Sequence, residues 1–190
     1  MTGTQVFWLI VGLSWAASEL TIALLSRKRL ALETHVELRS EKLIWLVICS
    51  SLLIALTIKN FHWFTIDLSA TAKLNTGFIL LISGLTLRLY AVYSLGTLFI
   101  TQLSIQTNHR LINKGPYHYI RHPSYTGLIL SFCGTGVAIG DFLSLLILTI
   151  PLIYILIKRI NIEEPLLQQH FGKDYDLYCQ QTKKLLPGLY

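Results

Sequence analysis

The sequence predicts an all-α integral membrane protein with about five transmembrane helices. Of its 190 residues, 53% are apolar and 14% are charged, whereas soluble domains usually carry about 25% charged residues. Several apolar segments approach the roughly 20 residues that cross a bilayer as a helix. The net charge of +6 comes from basic residues grouped between these segments. That grouping favours membrane topology, and not nucleic-acid binding, as its origin.

The first apolar segment predicts a membrane span and not a cleavable signal peptide. No basic residues precede it, and Arg27-Lys28-Arg29 follows it as a stop-transfer flank. The last two segments are short and are separated only by Gly140-Asp141, which predicts a tight helical hairpin. No repeat or low-complexity linker divides the chain, so we expect residues 1–190 to form one domain. The predicted spans are about 5–25, 43–64, 74–95, 125–140 and 142–157.

Most of the 16 basic residues lie between spans one and two, between spans three and four, or after span five. Lys59 and Lys73 lie on the opposite side. The positive-inside rule therefore predicts an outside N-terminus and a cytoplasmic C-terminus, in a bacterial inner membrane or in the endoplasmic reticulum of a eukaryote. The loop 96–122 and the tail 158–190 would then share one face. Three scattered cysteines, without a CxxC spacing, indicate neither a disulfide framework nor a zinc site.

The segment 115–125 concentrates tyrosine, histidine and arginine side chains between apolar runs. Unsatisfied polar groups are costly in lipid, so the segment predicts a site at the membrane edge. Pro123 disfavours a helical His122 and can itself begin a helix whose free amides suit an anion such as a carboxylate. An interfacial aromatic belt would explain the tyrosines but not Arg121-His122-Pro123. The prolines also argue against a metal site at His118 and His122.

A second group of charged residues follows span five. Arg159 and Glu163 are neighbours if the helix continues, since they are four residues apart. They are either a solvated surface pair or a functional pair in which Glu163 binds a cation and Arg159 an anion. The tail 163–181 has near-helical apolar spacing that is broken at Gly172, which predicts a surface helix. The segment 96–105 is expected to run extended after a helix end at Leu95-Gly96.

Glu19 and Arg88 are ionisable residues inside predicted spans, where charges are costly and often functional. Glu19 lies roughly 10 Å into the membrane, counting from Arg27 along a helix. We expect Glu19 to face the bundle and to pair with a polar group such as Arg88. Because Arg88 lies near the end of its span, snorkelling to the interface is the favoured expectation for its guanidinium.

From about Arg88 onward the sequence resembles the isoprenylcysteine carboxyl methyltransferase family. That family belongs to a wider group of small membrane methyltransferases, which includes phospholipid N-methyltransferases. The resemblance rests on ordered motifs, which here read His109-Arg110-Leu111-Ile112, Gly115-Pro116-Tyr117, Arg121-His122-Pro123-Ser124-Tyr125, 159–164, Phe171-Gly172-Lys173-Asp174-Tyr175-Asp176-Leu177-Tyr178 and Pro187.

The resemblance implies S-adenosylmethionine as methyl donor, held in a cytoplasmic region formed by 99–125 and 158–190. Arg159 would bind the substrate carboxylate, with Glu164 also in the catalytic group, and no metal is implied. Glu163 would contact the ammonium of the cofactor. Gln102, Ser104 and Gln106 compete for one further cofactor contact. The cofactor-binding residues that the resemblance implies are His109, Arg110, Leu111, Ile112, Tyr117, His122, Pro123, Ser124, Tyr125 and Glu163.

The implied activity is methylation of the carboxylate of a prenylcysteine-like lipophilic substrate in the membrane. The alternatives are methylation of a phospholipid amine or a small thiol, and a non-catalytic protein that binds a lipid or another ligand. An amine would first have to lose a proton, and Arg159 suits an anion better. The expected partners are the bilayer and a lipophilic or prenylated substrate, with no nucleic acid. The sequence leaves the oligomeric state open.

Overall fold

The computed structural model describes residues 12, 15–17, 19–22, 38–61, 64–96 and 111–186, and these are mainly helical. In the described part of the chain, helical residues between 12 and 22 precede two short 3-10 turns and five helices. Among the described residues, Lys42–Phe61, Ala70–Leu95 and Phe142–Phe171 are long and apolar enough to cross a membrane. The helices are α1 (Leu38–Ile58), α2 (Ala70–Leu95), α3 (Pro123–Ile139), α4 (Phe142–Phe171) and α5 (Lys173–Gln181), and the turns are Lys59–Phe61 and Gly115–His118.

Helix α4 extends well beyond residue 157, where the predicted span ends, and it contains Pro151 and Pro165. The apolar run stops near Lys158, but the charged residues that follow are good helix formers, so the helix continues as a polar extension, 158–171. Gly172, with φ +55°, ends it and donates its N–H to the Gln168 carbonyl at 2.8 Å. The predicted break at Gly172 thus separates α4 from α5. Gly96 ends α2, and the rest of the segment predicted as extended, 97–105, lies outside the described residues.

Helices α2 and α3 approach to backbone contact through glycines. A Cβ at Gly134 would lie 2.5 Å from the Gly77 carbonyl oxygen, and a Cβ at Gly127 would lie 2.6 Å from the Gly84 carbonyl oxygen. Small residues at such contacts allow the van der Waals packing that drives helix association in membranes. The contacts run from Gly127 opposite Gly84 to Gly134 opposite Gly77, so α3 packs antiparallel along the first and middle thirds of α2.

Helices α1, α3 and α4 share an apolar core. Many large apolar side chains on the opposite faces of α1 and α2 are exposed, including Leu46, Leu53 and Ile79. Such an apolar exterior suits contact with lipid chains. The core consists of Ile48, Ala55, Leu128, Phe132, Leu148, Leu152 and Leu156.

The hairpin between α3 and α4 is closed at one end of the bundle by residues 64–66 and 140–144, which we call the closed end. Gly140, with φ +82°, ends α3. The Asp141 carboxylate caps α4, accepting from the Ser144 amide at 2.8 Å and from its hydroxyl at 3.0 Å. Two backbone hydrogen bonds complete the closed end. The Phe142 amide donates to the Phe64 carbonyl at 2.7 Å, and the Ile66 amide donates to the Gly140 carbonyl at 2.9 Å.

Candidate functional site

The other end of the bundle, which we call the open end, joins residues 119–126, 159–164 and 182–185. Helix α3 starts there at Pro123, and His122 occupies the N-cap position with φ −123° and ψ 57°. This agrees with the non-helical His122 that Pro123 predicts. Tyr117 lies in the preceding 3-10 turn and is buried, and its carbonyl accepts from the Tyr178 hydroxyl at 2.7 Å.

Tyr125 joins the two charged residues that the sequence singles out on α4. Its hydroxyl donates to Glu163 Oε2 at 2.8 Å and accepts from Arg159 Nε at 2.7 Å. Its ring lies parallel to the His122 ring, with centroids 5.4 Å apart. Arg159 is only 6% exposed, whereas the Glu163 side chain is 30% exposed. The arrangement therefore places a desolvated cation beside a carboxylate that is open to a ligand.

Glu164 points to a different set of partners. It accepts from Arg121 Nε at 2.8 Å, its second oxygen lies 3.1 Å from Lys184 Nζ, and His122 Nε2 lies 3.4 Å away. Burial acts to raise the pKa of Glu164, but hydrogen bonds from His122, Arg121 and Lys184 outweigh it and lower that pKa to about 2. The carboxylate is therefore ionised at neutral pH. Its oxygens are engaged by the protein's own groups, which favours a role in holding the open end together.

The chain after α5 runs alongside the start of α3. Arg121 and His122 donate their amides to the carbonyls of Lys183 at 2.8 Å and Lys184 at 3.0 Å. Arg121 Nη1 also donates to the Thr182 carbonyl at 2.5 Å. In the sequence, Lys183 and Lys184 stand out only as basic residues after span five, and no pattern marks Thr182. A pairing between segments about 60 residues apart leaves no local pattern from which it could be predicted.

Glu19 and Arg88 form the buried pair that the sequence suggests. Arg88 Nε and Nη2 lie 2.6 and 2.8 Å from the two Glu19 carboxylate oxygens. The hypothesis that Glu19 pairs with Arg88 is confirmed, and the expectation that Arg88 snorkels to the interface is wrong. Arg88 is 8% exposed, and its guanidinium stays inside the protein because Glu19 and Ser124 supply acceptors there.

The structure brings most of the predicted site residues to the open end. Leu111 and Ile112 are half-buried and precede the turn that contains Tyr117. His109 and Arg110 lie outside the described residues, as do Gln102, Ser104 and Gln106. Within the described ranges, no cluster of three His, Cys, Asp or Glu residues could hold a metal. The residues brought together are His122, Pro123, Ser124, Tyr125, Arg159, Glu163 and Glu164.

The Glu163 carboxylate at the open end suits a ligand that carries a positive charge. The half-exposed Glu163 carboxylate can accept from an ammonium group, and it lies beside the Tyr125 ring, which stacks on the buried His122 ring. Arg159, through its planar guanidinium, suits a carboxylate. The fold and this site define a mainly helical protein, with three helices long and apolar enough to cross a membrane in its described part, that brings an arginine and a carboxylate together at one end of the bundle.

Residues 77–169 match the family model described as the isoprenylcysteine carboxyl methyltransferase (ICMT) family. A relative from Oryza sativa subsp. indica, described as a probable protein-S-isoprenylcysteine O-methyltransferase, is 34% identical over 113 residues, which are 58% of this chain and 59% of the relative. The protein-S-isoprenylcysteine O-methyltransferase B of Arabidopsis thaliana is 31% identical over 115 residues, covering 60% of this chain and 58% of the relative. This chain thus spans 58–59% of the length of these two relatives.

A solved structure supports the same relationship. The eukaryotic intramembrane Ras methyltransferase ICMT matches with a TM-score of 0.66 and 26% sequence identity, covering 91% of this chain and 62% of that chain. The resemblance of this chain to the isoprenylcysteine carboxyl methyltransferase family is therefore confirmed.

Proposed function

We propose that this chain is an S-adenosylmethionine-dependent methyltransferase of the membrane that methylates the carboxylate of a prenylcysteine-like lipophilic substrate. The observation that carries the proposal is the Tyr125 hydroxyl, which lies 2.7 Å from Arg159 Nε and 2.8 Å from Glu163 Oε2. Those three residues lie within the region that matches the family model. One hydroxyl thus holds a candidate anion-binding group and a candidate cation-binding group side by side.

The residues that would hold the cofactor are those around Glu163. Its half-exposed carboxylate would take the ammonium group, while Tyr125 and His122 would wall the pocket. Tyr117, Leu111 and Ile112 precede these residues in the chain, and the proposed set is completed by His109, Arg110, Pro123 and Ser124. When bound, the cofactor would supply an electrophilic methyl group on a sulfonium.

Arg159 would orient the methyl acceptor. Its guanidinium offers a fork of donors that matches a carboxylate, and its burial strengthens that attraction by excluding water. A carboxylate is already ionised at neutral pH, so no general base is required. The chain's task is then alignment and exclusion of water, which can contribute about 7–11 kcal/mol in well-oriented cases.

We further propose five spans, with the open end in the cytoplasm and the N-terminus outside. The open end gathers Arg121, Arg159 and Lys184, which fits the positive-inside rule. A prenyl chain could stay among the lipid chains beside the apolar exterior of α1 and α2, while the polar cofactor enters from the aqueous side. This division would explain a methyltransferase built from membrane helices.

Transfer of a radiolabelled methyl group from S-adenosylmethionine tests the proposal on the purified chain in detergent. The acceptors are N-acetyl-farnesylcysteine, phosphatidylethanolamine and a small thiol. We expect label on the farnesylcysteine carboxylate, recovered as a base-labile ester. Label on phosphatidylethanolamine alone or on the thiol alone would show that the methyl acceptor is that compound and not a prenylcysteine carboxylate. Absence of transfer to all three would contradict the proposed activity.

The matched pair Glu163→Ala and Asp174→Asn assigns the activity to the open end. Both substitutions remove one exposed or half-exposed carboxylate, but Asp174 lies on α5 and faces solvent. We expect about a 100-fold loss of methyl transfer for Glu163→Ala, within the range for loss of a positioned charged contact. Asp174→Asn should keep wild-type activity. Equal activity in the two variants would show that Glu163 does not bind the cofactor.

A further inference from the structure

A buried ion pair lies behind the open end and continues to the first turn of α3. Glu19 is 6% and Arg88 8% exposed, and their fork-to-fork contact uses Nε and Nη2 of the guanidinium. The remaining nitrogen, Nη1, donates to Ser124 Oγ at 3.0 Å and lies 3.3 Å from the Ser124 carbonyl oxygen. The guanidinium thus connects the helical segment that contains Glu19 with α2 and α3.

Packing between α2 and α3 has a source other than this ion pair. Gly84 and Gly127 already bring the two backbones into contact one turn away from Arg88 and Ser124. Charges inside spans are costly, and a buried ion pair is often no more stabilising than apolar residues of similar volume. Stability alone therefore does not explain this buried ion pair, and the contact of Arg88 with Ser124 suggests that the pair holds Ser124 in place.

Ser124 lies in the turn that shapes the open end. The amides of Tyr125 and Thr126 donate to the His122 carbonyl at 3.0 and 3.1 Å, and this turn starts α3. Ser124 lies inside it and is held from the α2 side by Arg88. A shift of Ser124 would move Tyr125, whose hydroxyl contacts Arg159 and Glu163.

We propose that Glu19 and Arg88 are positioning residues for the open end. Glu19 fixes the orientation of the guanidinium, Arg88 fixes Ser124, and the turn at Ser124 sets the place of the Tyr125 hydroxyl. The consequence for catalysis rests on the proposed function, but the positioning itself does not. Neither residue touches substrate or cofactor in this proposal.

Amide hydrogen exchange on the intact chain in detergent tests the positioning directly. Glu19→Gln keeps the size of the side chain and removes its charge, and Arg88→Lys keeps the charge and removes the fork. We expect at least about fivefold faster exchange in 121–126 for both variants, with the closed end at 142–146 unchanged. Ser131→Ala is the matched control, since Ser131 is a buried serine of α3 that bonds within α3 and to Leu81 of α2. Uniform acceleration at both ends, or none, would overturn the proposal.

A reversed pair, Glu19→Arg with Arg88→Glu, separates positioning from plain stabilisation. It restores opposite charges, but the shorter carboxylate at position 88 cannot donate to the Ser124 carbonyl. We expect the melting temperature to recover towards wild type while exchange in 121–126 stays fast and kcat/KM stays at least about tenfold low. Recovery of all three would show that the pair only stabilises the fold.

If the reversed pair does not fold, Ser124→Ala decides. It leaves the ion pair intact and removes the Oγ acceptor, so faster exchange in 121–126 supports the proposal and unchanged exchange overturns it. The proposed activity is judged separately, on wild type alone. A wild-type chain that transfers no methyl group would contradict the methyltransferase assignment, yet the exchange data would still decide whether Glu19 and Arg88 position the turn.

Discussion

The two ends of the hairpin formed by α3 and α4 differ in how many charged side chains hold them together. The closed end uses backbone pairing between residues 64–66 and 140–142 and a single carboxylate cap, Asp141. The open end also has backbone pairing, from Arg121 and His122 to the chain after α5. To this it adds side chains of opposite charge: Arg121 with Glu164, Lys184 with Glu164, and Arg159 with Glu163 through Tyr125.

Backbone pairing fixes a shape at low electrostatic cost, whereas a cluster of partly desolvated charges is expensive unless it is paired or used. The closed end therefore serves as a structural clamp. The concentration of charge at the open end supports its assignment as the place where ligands bind. Substitutions at the closed end should therefore lower stability alone, whereas substitutions at the open end should lower activity.

The largest contrast should come from Arg159→Ala at the open end. We expect methyl transfer to a carboxylate to fall by at least about 100-fold, because the substrate's charge partner is lost. Affinity for S-adenosylmethionine should stay within a few-fold of wild type, as measured by calorimetry. Lys158→Ala, at the exposed neighbouring position, is the control. A large cofactor defect in Arg159→Ala would contradict the role given to Arg159.

Glu164→Gln should lower both stability and activity. The neutral amide weakens the contacts with Arg121 and Lys184, and hydrogen bonds to charged groups contribute about 1.5–3 kcal/mol. We expect a clear drop in melting temperature and about a tenfold loss of kcat/KM, since His122 loses its neighbouring carboxylate. If the activity per folded molecule is unchanged, Glu164 has no role in catalysis or binding.

The same carboxylate predicts the acid dependence of stability. Because the pKa of folded Glu164 is about 2, below its ordinary value of 4.5, its ionic contribution is present above about pH 4.5 and is lost as the pH falls towards 2. The melting-temperature difference between wild type and Glu164→Gln should be constant from neutral pH to about pH 5.5 and should shrink near pH 3.5. A difference that already disappears at pH 5.5 would contradict the lowered pKa.

Asp141→Ala tests the closed end. It removes the cap from the Ser144 amide and hydroxyl, and loss of a helix N-cap costs about 0.5–2 kcal/mol. We expect a lower melting temperature with wild-type kcat/KM at a temperature where the variant is folded. A selective loss of activity would show that the closed end is not merely a clamp.

Gly140→Ala should have the smallest effect. Its φ of +82° is strained for a residue with a Cβ, by roughly 1 kcal/mol. The nearest atoms to an added Cβ belong to the flexible Lys73 side chain, at 3.0 Å, which can move aside. The melting temperature should drop by a few degrees at most, and activity should be unchanged. A loss of activity would show that the closed end also affects the site.

The parts of the molecule that the sequence predicts well depend on local patterns. Helices begin or end near Pro123, Gly140 and Gly172 as proline and glycine chemistry indicates. The length of α4 was underestimated because apolar runs mark membrane thickness, whereas a helix continues through charged residues such as Glu163 and Glu164. Snorkelling was the wrong expectation for Arg88 because its position near the end of a span does not show that Ser124, in addition to Glu19, accepts from its guanidinium.

The composition of the open end was predictable only through motifs. The residues around His122 and Tyr125 stand out as polar groups between apolar runs, so sequence alone indicates that they matter. It does not show that one tyrosine hydroxyl joins Arg159 and Glu163, or that the chain at 182–185 runs beside residues 120–122. Those contacts depend on the α3–α4 hairpin and on α5 folding back, which are tertiary facts without a local signature.

Calorimetric titration of S-adenosylmethionine into wild type, Asp141→Ala and Glu163→Ala tests the division between the two ends most directly. The account predicts saturable binding to wild type, an unchanged dissociation constant for Asp141→Ala, and a loss of at least about tenfold for Glu163→Ala. No binding to wild type, or equal binding to wild type and Glu163→Ala, would contradict the assignment of the open end as the cofactor site.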